Sequence, residues 1–84
     1  MINHMINVLE EVVNERLRQD SKWGVQNHSP EKWIVILGEE FGELCEAILN
    51  RERDNIRSEA IQVAAVAVAF VEYLDRHNVR NQNT

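Results

Sequence analysis

The chain reads as an all-α protein, a helical bundle of three main helices that a second copy completes. Apolar residues recur at three- and four-residue spacing, strand-type alternation is nearly absent, and only three Gly and one Pro punctuate 84 residues. A chain of this length supports one core, so residues 1–84 are expected to be a single domain.

Ile2, Ile6, Leu9, Val13 and Leu17, widened by Val8 and Val12, form an amphipathic stripe that predicts a first helix ending near Asp20. Residues 21–30, Ser-Lys-Trp-Gly-Val-Gln-Asn-His-Ser-Pro, are the only extended run of turn formers. Ser29 then stands as an N-cap with Pro30 at the first helical position and Lys32 at the third, which predicts a second helix over about 30–50. The charged run Arg51-Glu-Arg-Asp-Asn55 predicts a turn, and a third helix follows over about 56–77. Residues 78–84, Asn-Val-Arg-Asn-Gln-Asn-Thr, read as a frayed polar tail.

Between Ala60 and Val71 every residue but Gln62 is apolar. A helix apolar on all sides asks to be covered on all sides, and two companion helices are too few. Self-association into a homodimer or higher homo-oligomer is the expected remedy.

Composition narrows the functional classes. A content of 44% hydrophobic and 27% charged residues is that of a folded globular chain. Nine Lys and Arg against 14 Asp and Glu, a formal charge of −5, leave no basic patch, so DNA or RNA binding is not expected. The longest apolar stretch, residues 63–71, is far short of the roughly 20 residues that span a bilayer, so no membrane role is expected. One cysteine, Cys45, excludes an intrachain disulfide and reads as a core residue. With an N-terminal run lacking the marks of a secretory signal, a cytoplasmic location is expected.

On the second helix Glu40 and Glu43 fall about 60° apart on one face at about 100° per residue, beside Trp33, Ile36, Leu44 and Ala47. On the third, Glu59 shares its face with Val63, Val66 and Phe70, and Gln62 lies one step round. Carboxylates on apolar edges are costly unless paired, protonated or bound to a cation. Oxygen donors in this pattern suit hard divalent ions such as Mg²⁺ or Mn²⁺. The alternative is a set of half-exposed helix side chains, with Glu40 paired to Lys32 or an arginine. A ferritin-like di-iron site needs Glu-x-x-His pairs, and none of these Glu residues has a His three positions on. His4, His28 and His77 are scattered one to a segment and are not expected to be ligands.

The string Leu37-Gly-Glu-Glu-Phe-Gly-Glu-Leu-Cys-Glu-Ala-Ile48 resembles the first signature of the MazG-like, all-α nucleoside triphosphate pyrophosphohydrolases: two consecutive Glu, two residues, then Glu-Leu. The family pattern continues with Glu-x-x-Asp on the next helix, and here Glu59-x-x-Gln62 follows. Residues 19–28 and the run from Gln62 to Val68 are similar to the short members, so the resemblance covers roughly residues 10–76. It implies a Mg²⁺-dependent hydrolysis, with Mn²⁺ as a substitute, of a nucleoside triphosphate to the monophosphate and pyrophosphate, of use in nucleotide-pool house-cleaning. It further implies Glu40, Glu43 and Glu59 as metal ligands, with Gln62 completing the set, and Glu39 as the group that orients or deprotonates the attacking water.

Gln62 stands where the family usually carries Asp, and an amide is a weaker ligand. That departure keeps a second reading open: a catalytically silent helical dimerisation or nucleotide-binding module. For substrate, Lys22 is placed to reach a phosphate or else is merely solvated, Trp23 to stack on a base or else to plug the end of the bundle, and Trp33 is weighed in the same two ways. Arg57 offers charge to the triphosphate, with Arg51 and Arg53 near it or merely solvated, and Tyr73 follows Gln62 around the third helix toward the site.

Overall fold

The computed structural model describes residues 1–77, and the polar tail assigned to 78–84 lies outside them. Three helices account for nearly all of it: α1 (Ile2–Trp23), α2 (Pro30–Leu49) and α3 (Arg53–Arg76). Among the described residues α1 and α2 each pack along α3 and not along one another, so α3 is the middle of a three-helix layer. Ion pairs join Glu11 to Arg57 and Arg16 to Glu72, early with early and late with late, so α1 runs roughly parallel to α3. Trp33 stacks on Phe70 while Glu43 lies by Glu59, so α2 and α3 form an antiparallel hairpin.

α1 extends one turn past the expected end, to Trp23, and stops where Gly24 takes φ 73°, a backbone conformation suited to glycine. The Gly24 N–H donates to Asp20 O at 2.8 Å. Lys22 and Trp23 therefore sit on the last helical turn rather than in the loop. The loop itself is pinned to the far end of α3, where Arg76 donates to Gln26 O at 3.0 Å and to Asn27 Oδ1 at 3.1 Å.

α2 begins as the sequence predicts. Ser29 has extended backbone, its Oγ accepts from Lys32 N at 3.2 Å, and Pro30 occupies the first helical position. Ser29→Ala is expected to cost about 1 kcal/mol. Urea unfolding of this variant checks the assignment; an unchanged midpoint would mean that the cap contributes nothing.

The α2–α3 connection is shorter than predicted. Arg51 N–H donates to Ile48 O at 3.2 Å and Glu52 N–H to Ala47 O at 2.9 Å, the pair of bonds that closes a Schellman motif. Arg51 occupies its left-handed position, with φ 57°, where glycine is usual. Arg53, Asp54 and Asn55, expected in the turn, form the first turn of α3.

The core centres on Trp33, Val66 and Ala69, with Ile36, Leu37, Phe70 and Tyr73 packed around them. α3 buries Ala65, Val66 and Ala69, half-buries Ile61, Val63, Ala64, Ala67 and Phe70, and exposes Ala60, Val68 and Val71. Two flanking helices cover more of α3 than the sequence suggested. Much of the uncovered apolar surface lies instead on α1, at Ile2, Ile6, Leu9, Val13 and Leu17, and on α2, at Ile34, Val35, Phe41, Ile48 and Leu49. Cys45 is half-buried. No helix among the described residues is long and apolar enough to cross a membrane.

Candidate functional site

The antiparallel α2–α3 hairpin sets Glu40 and Glu43 beside Glu59. One carboxylate oxygen from each lies within 4.8 Å of the other two. Glu40 and Glu59 are half-buried and Glu43 is exposed. None of the ion pairs among the described residues includes any of the three, so the pairing of Glu40 with Lys32 or an arginine does not occur. Glu59 Oε2 is shielded from solvent and has no hydrogen-bond partner. Three carboxyl groups converge with no cationic side chain among the described residues paired to them, an arrangement that resists ionisation.

Both half-buried carboxyls respond accordingly. Burial first, then the charges of Glu43, Glu59 and Glu39, raises Glu40 above its ordinary 4.5. Burial first, then Glu43, raises Glu59. Glu15 on α1 behaves oppositely, because Arg18 donates to both its oxygens, at 2.9 and 2.6 Å, and holds its carboxyl low.

An acid whose folded pKa is raised binds protons better folded than unfolded. Its penalty is absent well below the unfolded value, grows as pH rises from the unfolded value to the folded one, and is complete above the folded value. In cation-free buffer Glu40→Gln should therefore gain on the unsubstituted chain as pH rises from 4.5 toward neutrality. Urea melts across that range test the claim, and a difference that does not vary with pH would defeat it.

Gln62, one turn on from Glu59, is turned toward α1. Its Oε1 accepts from Gln19 Nε2 at 3.3 Å, and its hydrogen bond to Glu15 helps hold that carboxyl low. The amide is thus engaged with α1 while remaining half-buried at the edge of the glutamate trio.

Because α1 and α2 do not touch, they leave a cleft between them with α3 as its floor. Its volume is about 240 Å³. Glu40 and Gln62 stand in its wall, with Arg16, Gln19, Asp20 and Trp23 from α1, Ile36 and Trp33 from α2, and Val66, Ala69 and Arg76 from α3. His28 adds an edge, its ring 5.0 Å from that of Trp33. The cleft offers acidic oxygens, two guanidiniums, amides and aromatic surface within one enclosure, the mixture that a polar, partly planar ligand requires.

The other sequence-selected residues fall in different places. Trp23 is 54% exposed and lines the cleft, so it does not plug the end of the bundle, whereas Trp33 is a core residue at 2%. Lys22 lies over the Trp23 ring, 4.7 Å from its centroid, and outside the cleft lining. Arg57 is paired with Glu11 at 2.7 and 2.6 Å and lines a separate, shallow groove between α1 and α3. Tyr73 packs between Trp33 and His77, with ring separations of 6.1 and 4.3 Å. Glu39 is exposed on α2, beside the trio but outside the cleft lining.

The cleft also contains residues that the sequence did not single out. Arg16 is the clearest: its side chain is 13% exposed and donates to Glu72 at 2.7 Å. A signal was present in Arg16-x-x-x-Asp20, an ion-pair spacing on the inner flank of an amphipathic helix. Arg76 and His28 carried no such signal, because the loop that places them relies on long-range bonds. Family models, curated proteins and solved structures provide no match to this chain.

Proposed function

We propose that the chain is a Mg²⁺-dependent nucleoside triphosphate pyrophosphohydrolase, with Mn²⁺ as a substitute, acting as a homodimer or higher homo-oligomer. The observation that carries this reading is the convergence of Glu40, Glu43 and Glu59, with, among the described residues, a shielded, partnerless oxygen on Glu59 and no cationic side chain paired to any of the three. That donor set is all oxygen and all acidic, and it fits a hard divalent ion. When bound, such an ion would offset triphosphate and carboxylate charge and make water a better nucleophile.

The chain's own residues supply the rest. Glu40, Glu43 and Glu59 hold the ion from the hairpin, and Gln62, beside them, is the neutral member of the set. Glu39, solvent-facing and adjacent, is the group to accept the proton of the attacking water. Attack on the α-phosphorus breaks its bond to the bridging oxygen, leaving a monophosphate and pyrophosphate. Trp23 borders the cleft as a stacking surface for the base. Lys22 stands over the Trp23 ring, Tyr73 backs the cleft through Trp33, and Arg57, paired with Glu11 in the separate groove, takes no part in the cleft.

One observation favours a second reading, in which the chain is a catalytically silent dimerisation or nucleotide-binding module. The Gln62 amide oxygen is already used by Gln19. A pyrophosphate-release screen over the common nucleoside triphosphates, with Mg²⁺ or Mn²⁺, separates the two. Turnover of any of them supports the enzyme. No release, accompanied by a nucleotide-dependent rise in melting temperature, favours the silent module.

A further inference from the structure

We propose that the outer face of α2 is a two-fold interface with a second copy of this chain, each copy seating its Phe41 in the notch that Gly38 and Gly42 open on the other. The proposal rests on the self-association included in the functional reading and is independent of hydrolysis.

α2 is apolar on two sides. One side buries Trp33 and Ala47 against α3, and the other presents Ile34, Val35, Phe41, Ile48 and Leu49 to solvent at 53–79% exposure. α1 does not reach this second side. The five side chains expose on the order of 500 Å², a large part of the ~800 Å² per partner that a stable interface uses.

The glycines identify the partner. Both lie inside the helix, where glycine is the least favourable residue after proline. A Cβ at either position would meet no atom of the described residues within 4 Å, so no contact among them requires glycine there. A close approach from outside does. Positions 38, 41 and 42 share one face of the helix, so a projecting ring and a hollow lie side by side. A surface carrying both knob and hole is complementary to itself about a two-fold axis, which selects a second copy over an unrelated protein.

Light scattering on the eluting protein, from about 1 to about 100 µM, tests the interface with two variants. The unsubstituted chain should be dimeric or a multiple of the dimer, and Phe41→Glu should halve the mass while keeping its helical signal. Gly38→Ala with Gly42→Ala should weaken association at least tenfold, although alanine favours the helix. A monomeric unsubstituted chain overturns the proposal, as does association that survives in the alanine variant together with a raised melting temperature. Should Phe41→Glu fail to fold, the alanine pair decides alone, since each added Cβ has open space within the chain. Pyrophosphate release is assayed separately, so a failed interface is distinguishable from a failed activity.

Discussion

Glu59→Gln is expected to lower pyrophosphate release at least about 100-fold and to erase the melting-temperature rise that Mg²⁺ gives the unsubstituted chain. Saturation to a hundredfold excess over Kd stabilises by about 2.7 kcal/mol, which for a domain of this size is roughly 10–20 °C. That is too large a shift to miss. The substitution keeps the shape of the side chain and removes one of three mutually repelling charges at an oxygen that no donor satisfies. Without a cation the variant should therefore melt at or above the temperature of the parent chain. A merely structural Glu59 predicts the reverse: lower stability in every buffer and a cation response that is unchanged or was never present. Differential scanning fluorimetry with and without Mg²⁺, beside the release assay, reads both signs.

Trp33→Ala should be the most destabilising substitution in the hairpin. Trp33 is 2% exposed, and its ring stacks 5.8 Å from Phe70 and meets Tyr73 and His28. Truncating a buried Trp costs about 3–5 kcal/mol, a large share of the 5–15 kcal/mol by which a domain is stable. The variant is expected to unfold at a urea midpoint far below that of the parent or to lack a cooperative transition. A loss below about 1 kcal/mol would show that the core is centred elsewhere.

The sequence made the helices and the glutamate trio legible because each depends on local spacing. Apolar residues at three- and four-residue intervals specify α1 and α2, Ser29-Pro30 specifies the start of α2, and i, i+3 carboxylates fall on one face wherever the helix is placed. The short α2–α3 turn was not legible, because its left-handed position carries Arg51 instead of the glycine that would announce it. Covering α3 was judged from its own apolarity, whereas its exposure depends on how α1 and α2 straddle it. Arg76 reaches the cleft beside bonds to Gln26 and Asn27, far away in sequence, and no local pattern encodes these. The neighbours of Gln62 on its own helix do not announce its partner, because its amide is directed by Gln19 on another.

The layered packing also divides the molecule kinetically. α2 and α3 are consecutive, antiparallel and joined by a tight turn, so their mutual contacts close short loops and should form early. α1 runs parallel to α3 and fully buries only Val12, so its docking spans more chain and is held more by polar bonds at its flank. Opening of α1 is therefore expected to cost less than opening of the α2–α3 hairpin. Glu40, Glu43 and Glu59 all belong to the hairpin, whereas Arg16, Gln19, Asp20 and Trp23 leave with α1. Such an opening would remove one wall of the cleft while the three carboxylates stay together.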